Sequence, residues 1–546
     1  MIKTDSHRKQ MISLFIGVFI SLLMLTGYRL FILRDMECSR DGFFHVRLAL
    51  EGWNVFAAKT FPSLSMSSWT AHFADKELLY HYILGIVQSF SILAGIPEYP
   101  FHTASLFFCG FLLLMFGFTA KELKIKHLWL CIPFLIFISQ NYTARMLMVR
   151  PHTFSSALLL LGFVLFMRTK DWKDCWKPFF IGFLMSWSYS NPHFLLFPAG
   201  IFAFYYFFRD KKRSCIIFGG AFLGILLGLI LHPQFPNTFS NWKIQCIDVP
   251  LLVMMNKKAE YLTFGTEINL SGIDLWKSII IFWIFCLLNL GFAFLMFLRQ
   301  KRRFFIPENL IILTISVLLF IGSIRVYRII EYAVSFNTLS LFYFITRNRA
   351  IYPWDKPWKK YAVPTVWAVV FLLLFIYIPS RISSSLFFDF RYNDYRDFLQ
   401  VNKLPENTLI ANIDWSDSPR LYYEHPEHRY LCALDPAFGF AAGKERMLLI
   451  EQFRRKRIFL PPEQLKTITG AEIFHVPRLE FQLADRMKYR YTLVFFSETD
   501  GYLFVMPYLA RKFISKVYRS PEDSGKKNSR NQKNKRIIKS EDNKYQ

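Results

Sequence analysis

The chain is poor in charge. Asp, Glu, Lys and Arg make up only 19% of its 546 residues, while 53% are hydrophobic and 18% aromatic, 61 of them Phe. So little charge cannot cover so much apolar surface in water, which excludes a string of ordinary soluble domains. Cysteine is scarce as well. The eight present fall mostly in or beside apolar runs (Cys109, Cys131, Cys215, Cys286), so they read as small core residues and not as a disulfide scaffold. GxxxxGK[ST] and GxGxxG loops are missing, as are HExxH, GxSxG and CxxC. These absences speak against a cytoplasmic nucleotide-sugar enzyme. Acidic residues are outnumbered, 40 against 66 Lys+Arg, for a net +26. A nucleic-acid binder would carry that excess on weakly apolar domains. Here it falls in short clusters between long apolar runs, the distribution of an integral membrane protein.

A basic N-terminus precedes an apolar run from Met11 to Leu33, long enough to cross a bilayer at ~20 residues. The run ends on Arg34-Asp35-Met36-Glu37 and not on a small-residue cleavage site, so it reads as an uncleaved first helix with its basic end in the cytoplasm. Further apolar runs occur at 78–96, 103–120, 128–146, 153–167, 179–208, 214–231, 276–298, 304–321, 329–346 and 361–379. Basic clusters at 121–127, 168–177, 209–213, 299–303 and 347–360 separate them. All five clusters reach the cytoplasm if 78–96 lies in the interface and 179–208 crosses twice, turning at Ser190-Asn191-Pro192-His193. A competing count, with 78–96 crossing and 179–208 as one broken helix, puts two basic loops on the wrong side.

The expected fold is therefore a polytopic α-helical membrane protein of about eleven spans, residues 1–380, with a long first outer loop (34–102). A second outer segment lies around 141–152 and a third at 232–275, which reads as a lid over a substrate. An extracytoplasmic α/β domain comes next, at 381–515. Its expected strands are 408–413, 429–433, 491–496 and 502–506, and its expected helices 395–402 and 444–457. The tail, 516–546, is basic and reads as disordered.

The first outer loop opens on Arg34, Asp35, Glu37, Arg40, Asp41, His45, Arg47 and Glu51. In DGFFHVR, Asp41 and His45 sit one helical turn apart. A carboxylate, an imidazole and a guanidinium just outside a membrane helix suit a general base, a proton relay and an anion clamp. The plainer alternative is a solvated turn with ordinary ion pairs. Farther along, SSWTAHFADKELLYH supplies His72, Asp75, Glu77 and His81, with Trp69 as an interfacial anchor. In RVYRIIEYAV, Arg325, Arg328 and Glu331 recur every three residues at a membrane face, where charges are costly and usually paired or functional. Two arginines there would hold a phosphate, Glu331 would orient one of them, and Tyr332 would face a sugar. A structural Arg–Glu pair is the alternative. The second outer loop, NYTARMLMVRPHTF, offers Arg145, Arg150 and His152 as substrate-binding groups. In the C-terminal region the acidic positions Asp414, Asp417 and Asp435, in segments that also hold Trp415 and Arg429, read as caps of strands and turns.

A first membrane helix leading into D-G-F-F-H-V-R resembles the first-loop acidic motif of the GT-C superfamily, polytopic glycosyltransferases with lipid-phosphate-linked sugar donors. It is most similar to the D-x-Y-x-H-x-R type of archaeal oligosaccharyltransferase catalytic subunits. The D-W-S-D and L-D-P segments are similar to those of uncharacterised bacterial GT-C-like proteins. The resemblance implies catalysis by Asp41 with His45 or Asp75 assisting. Arg47, Glu77, Arg145, Arg150, His152, Arg325, Arg328, Glu331 and Tyr332 would bind substrate. It further implies a polyprenyl-phosphate-linked sugar donor, a glycan, lipid or protein acceptor, and residence in a bacterial inner membrane with the active face outside. A divalent cation, Mg or Mn, is an optional cofactor of the superfamily. However, 123–170 contains no carboxylate, whereas oligosaccharyltransferase subunits carry a second acidic motif in that loop. A lipid-linked glycan transporter or non-catalytic assembly protein is the rival class. Internal repeats and paired broken helices would favour it, and the sequence shows no repeat and one broken segment.

Overall fold

The computed structural model describes residues 2–33, 36–37, 39–95, 100–249, 280–348, 388–389, 393–432, 435–513 and 516–518. The expected span 361–379, the cluster 347–360 past Asn348, residues 250–275 of the third outer loop, and the tail past Tyr518 lie outside the described residues, as do Arg34, Asp35 and the side chain of Arg325. The chain divides into two compact units. One holds Met1–Phe61 and most of the chain between Ala71 and Phe390; the other joins Pro62–Thr70 to the chain from Arg391 onward.

The first unit is helical. Among the described residues, six helices are long and apolar enough to cross a membrane: His7–Phe31, Phe101–Glu122, Pro151–Arg168, Lys211–Ile230, Ile280–Arg299 and Pro307–Ile324. Leu78–Leu93, Leu128–Phe137 and Pro192–Phe207 are apolar but shorter. Leu78–Leu93 has 16 residues, about 24 Å at 1.5 Å per residue, less than a hydrocarbon core of about 30 Å. The run 179–208 breaks where Asn191-Pro192 removes a helical donor. Trp176–Ser188 ends, Pro192–Leu195 makes a 3-10 turn, and Leu196–Phe207 continues. Trp176–Ser188 packs on Lys211–Ile230 through glycines: a Cβ on Gly224 would lie 2.1 Å from the Phe179 carbonyl oxygen, and one on Gly182 2.4 Å from that of Ala221. Two short strands, β1 (Met36–Glu37) and β2 (Phe388–Asp389), pair antiparallel.

The second unit is built on a five-stranded mixed sheet. Its strands are β3 (Ile410–Asn412), β4 (Ile473–Val476), β5 (Thr492–Ser497), β6 (Gly501–Val505) and β7 (Lys516–Tyr518), in the order β3-β4-β6-β5-β7. Phe453, Leu465, Phe474, Met487 and Phe504 fill its core. Three of the expected strand runs become β3, β5 and β6, while the run 429–433 makes single bridges, Leu64 to Tyr430 and Leu409 to Arg429. Pro62–Thr70 of the first outer loop runs beside it: the Ser65 and Met66 N–H groups donate to the Tyr430 and Leu431 carbonyls, each at 2.7 Å. Trp69, expected as an interfacial anchor, is instead buried with its ring 4.8 Å from Phe438. Of the acidic residues in this unit, Asp414 caps Ser416 N–H and Asp435 caps Ala437 N–H, the capping role expected of them.

Candidate functional site

The helix Arg40–Glu51 begins where Ser39 is extended and the Gly42 N–H donates to the Ser39 carbonyl at 3.1 Å. Phe43, Phe44 and Val46 are fully buried, so the helix is seated by apolar contact and carries Asp41 and His45 into the protein with it. Asp41 does not stand free. Its Oδ2 lies 2.9 Å from Arg150 Nη2, and both side chains are largely buried. A second pair places Arg150 there. Arg29 of the first helix donates to Glu37 Oε2 at 2.8 Å, both fully buried, and Glu37 Oε1 accepts from the Val149 N–H at 3.2 Å. A buried charge holds its position only when paired, so Arg29–Glu37 ties the exit of the first helix to the second outer loop. Pro151 then starts the next helix with Arg150 as its extended N-cap.

One turn past Asp41, His45 meets residues of the next segment. Its Nδ1 lies 2.8 Å from His81 Nε2, and His81 Nδ1 lies 2.9 and 2.8 Å from the two oxygens of Asp75. The two imidazoles stack with centroids 5.1 Å apart. Burial holds the His45 pKa well below the usual histidine value, with His81, Arg150, Lys76 and His152 adding to the effect. Asp75 is fixed from both sides. Its carboxylate accepts the Glu77 N–H at 3.1 Å, and its own N–H donates to Gln234 Oε1 at 2.5 Å. Gln234 Nε2 reaches the Val55 carbonyl, Asn237 Nδ2 the carbonyls of Lys59 and Phe73, and Asn241 Nδ2 that of Ala74. The start of the third outer loop, expected as a lid, is thus bolted to the first by buried amides. Burial raises the pKa of Glu77, opposed by Lys76, His81 and Arg328.

Arg145, expected at the substrate, is buried and its Nε donates to Glu331 Oε1 at 2.6 Å. Glu331, expected to orient Arg325 or Arg328, therefore orients Arg145. Rotation about that stretch is fixed by burial on every side of Ile330–Asn348, which spacing alone does not report. His152 donates through Nε2 to the Arg145 carbonyl at 2.7 Å. Tyr332, expected to face a sugar, is buried: its hydroxyl is 3.3 Å from Ser155 Oγ and its ring stacks on Phe194 at 4.7 Å. Arg328 remains half-buried, its guanidinium 5.9 Å from the centre of the Tyr189 ring. Arg47 leaves the cluster and pairs with Glu51 one turn on, at 2.8 Å, partly exposed. His72 is exposed. Arg29 and His81 are the residues that sequence reasoning missed or undervalued; a lone arginine inside a spanning run was the available signal for Arg29.

A groove of about 370 Å³ opens between Arg40–Glu51 and Leu78–Leu93, lined by apolar side chains such as Leu48, Phe56, Ile86 and Phe90 and reached by Asp75 and His81. The donor set does not fit a divalent cation. Asp41 is occupied by Arg150 and Glu331 by Arg145, the second loop supplies guanidinium where hard oxygen ligands would be needed, and no three metal-binding side chains converge among the described residues.

No family model matches the chain, and no curated protein matches it in sequence. Solved structures do. The fold is similar to that of an Archaeoglobus fulgidus oligosaccharyltransferase in its apo form, with a TM-score of 0.59 at 10% identity, covering 90% of this chain and 74% of that one. The archaeal oligosaccharyltransferase AglB of the same organism, in complex with an inhibitory peptide and a dolichol-phosphate, aligns at TM-score 0.56 and 11% identity over 85% of this chain and 69% of that one. A form tethered to an acceptor peptide containing the NVT sequon aligns at 0.54 and 10%, over 90% and 73%. The chain therefore shares its fold with these oligosaccharyltransferase structures, the likeness that the DGFFHVR motif led us to expect.

Proposed function

We propose that this chain is a membrane glycosyltransferase that moves a sugar from a polyprenyl-phosphate-linked donor to an acceptor at the extracytoplasmic face, in the modification of an envelope glycan or glycolipid. In this reading the chain crosses a bacterial inner membrane eleven times, with the first outer loop and the unit from Arg391 outside. The observation that carries it is the meeting, directly after the first membrane helix, of Asp41 with Arg150 and of His45 with a buried imidazole–carboxylate pair, in a fold shared with oligosaccharyltransferases.

The chemistry follows from those groups. The acceptor hydroxyl oxygen attacks the anomeric carbon as the bond from that carbon to the phosphate oxygen breaks, and the electron pair leaves with the lipid phosphate. Arg328 and Arg325 bind that phosphate by charge-assisted hydrogen bonds, and Tyr189 beneath Arg328 limits its directions. Asp41, held by Arg150, orients the acceptor, and His45 and Asp75 supply the acid–base groups. One displacement without a covalent intermediate inverts the anomeric centre. No step runs through a metal ion.

Purified protein given a panel of radiolabelled polyprenyl-phosphate monosaccharides should release polyprenyl phosphate, and Arg328→Ala should weaken donor binding about tenfold or more. Movement of intact donor across a proteoliposome membrane, with no lipid phosphate released, would favour the transporter instead.

A further inference from the structure

We infer that His45, backed by His81 and Asp75, is the group that takes the acceptor proton, and that Asp41 positions and does not accept it. This deepens the glycosyltransferase reading above and rests on it.

Three side chains from two segments form one unbranched line. The carboxylate of Asp75 can only accept, so His81 Nδ1 carries the proton that bridges them at 2.8 Å. His81 Nε2 is then a lone pair, and His45 Nδ1 must donate to it at 2.8 Å. That fixes the remaining nitrogen: His45 Nε2 is a bare acceptor and makes no hydrogen bond among the described residues. Asp41 is placed differently: Arg150 Nη2 holds its Oδ2 at 2.9 Å, so that carboxylate is taken up in an ion pair. The groups facing His45 are Asp41 one turn earlier on its own helix, His81 and Tyr80 from the next segment, Lys76 before them, and Arg150 and His152 from the second loop. Most are cationic or neutral, so the imidazole stays unprotonated and able to act as a base.

As the new glycosidic bond forms, the acceptor O–H proton passes to His45 Nε2. The proton on His45 Nδ1 moves to His81 Nε2, and that on His81 Nδ1 moves to Asp75. The negative charge that disappears at Asp75 appears on the departing lipid phosphate, so the step balances without another reactant. Asp75 and His81 line the groove between Arg40–Glu51 and Leu78–Leu93, which gives the proton an exit away from the sugar.

The test compares wild type with His45→Gln and His81→Asn on the same panel of polyprenyl-phosphate monosaccharides, following kcat, KM and the pH profile. His81→Asn keeps an amide donor near Asp75 and removes only the link to His45. Binding of unglycosylated polyprenyl phosphate serves as the folding control. Both variants should bind it as wild type does, keep KM within about threefold and lose kcat by about 10² to 10³. The acid limb of the wild-type profile should vanish in His45→Gln. A His45→Gln enzyme with wild-type kcat and an unchanged acid limb overturns the relay while the transferase stands. A wild type that binds polyprenyl phosphate but turns over no donor in the panel overturns the transferase and the relay together.

Discussion

Buried ion pairs hold the polar side of this membrane unit together, and each can be tested one residue at a time. Arg145 and Glu331 are both shielded from water, so removing one strands the other. Arg145→Ala should cost about 3–5 kcal/mol, and the double change Arg145→Met with Glu331→Leu should recover most of it, by thermal unfolding in detergent. An unchanged midpoint in the single variant would contradict the pairing. His232 gives a pH-dependent counterpart. Burial lowers its pKa to about 4, and its Nε2 has no partner among the described residues. The unfolded chain gains a proton there below about 6.5 while the folded one stays neutral, so stability should be full above 6.5 and fall as pH drops toward 4, by about 3 kcal/mol. His232→Gln should flatten that limb; an identical limb in the variant would assign it elsewhere. At this scale Asp41 and His45 were legible because helical spacing puts them one turn apart. The bond from His45 to His81 was not, since it joins positions 36 apart and depends on how two helices pack. Glu331 shows the same limit: its register was visible, but which arginine it meets was set by burial around the whole helix.

Elements were legible where one property dominates. Apolar length gave the spanning helices, and Asn191-Pro192 gave the break in 179–208. Strand β4 escaped because four residues, Ile473–Val476, carry too little pattern to stand out. Residues 62–70 escaped because their pairing with Tyr430 spans more than 360 positions. The glycine contact between Trp176–Ser188 and Lys211–Ile230 makes a sharp element-level prediction. Gly224→Leu should separate these helices and cost about 1–3 kcal/mol or more, because backbone blocks the new side chain. Gly219→Ala, one turn and a half earlier and facing open space, should be neutral or stabilising by up to about 1 kcal/mol. Equal melting of the two variants would contradict the close approach.

For the whole molecule, scarcity of charge makes its distribution informative. The excess of +26 collects between apolar runs, so in the topology proposed above a cysteine at exposed Lys126 should be labelled only from the cytoplasm. One at Tyr489, 87% exposed in the second unit, should be labelled from outside. Labelling of Lys126→Cys by an impermeant reagent on intact cells would invert the topology. Function is less legible than fold at this level, because in the transferase proposed above a few side chains would choose sugar and acceptor, and composition does not register them. The most direct measurement is the release of polyprenyl phosphate from a polyprenyl-phosphate sugar by purified wild type and by His45→Gln. Turnover by wild type and its loss by about 10² or more in the variant, with lipid-phosphate binding intact, is the predicted result; equal turnover by both, or none by wild type, would contradict it.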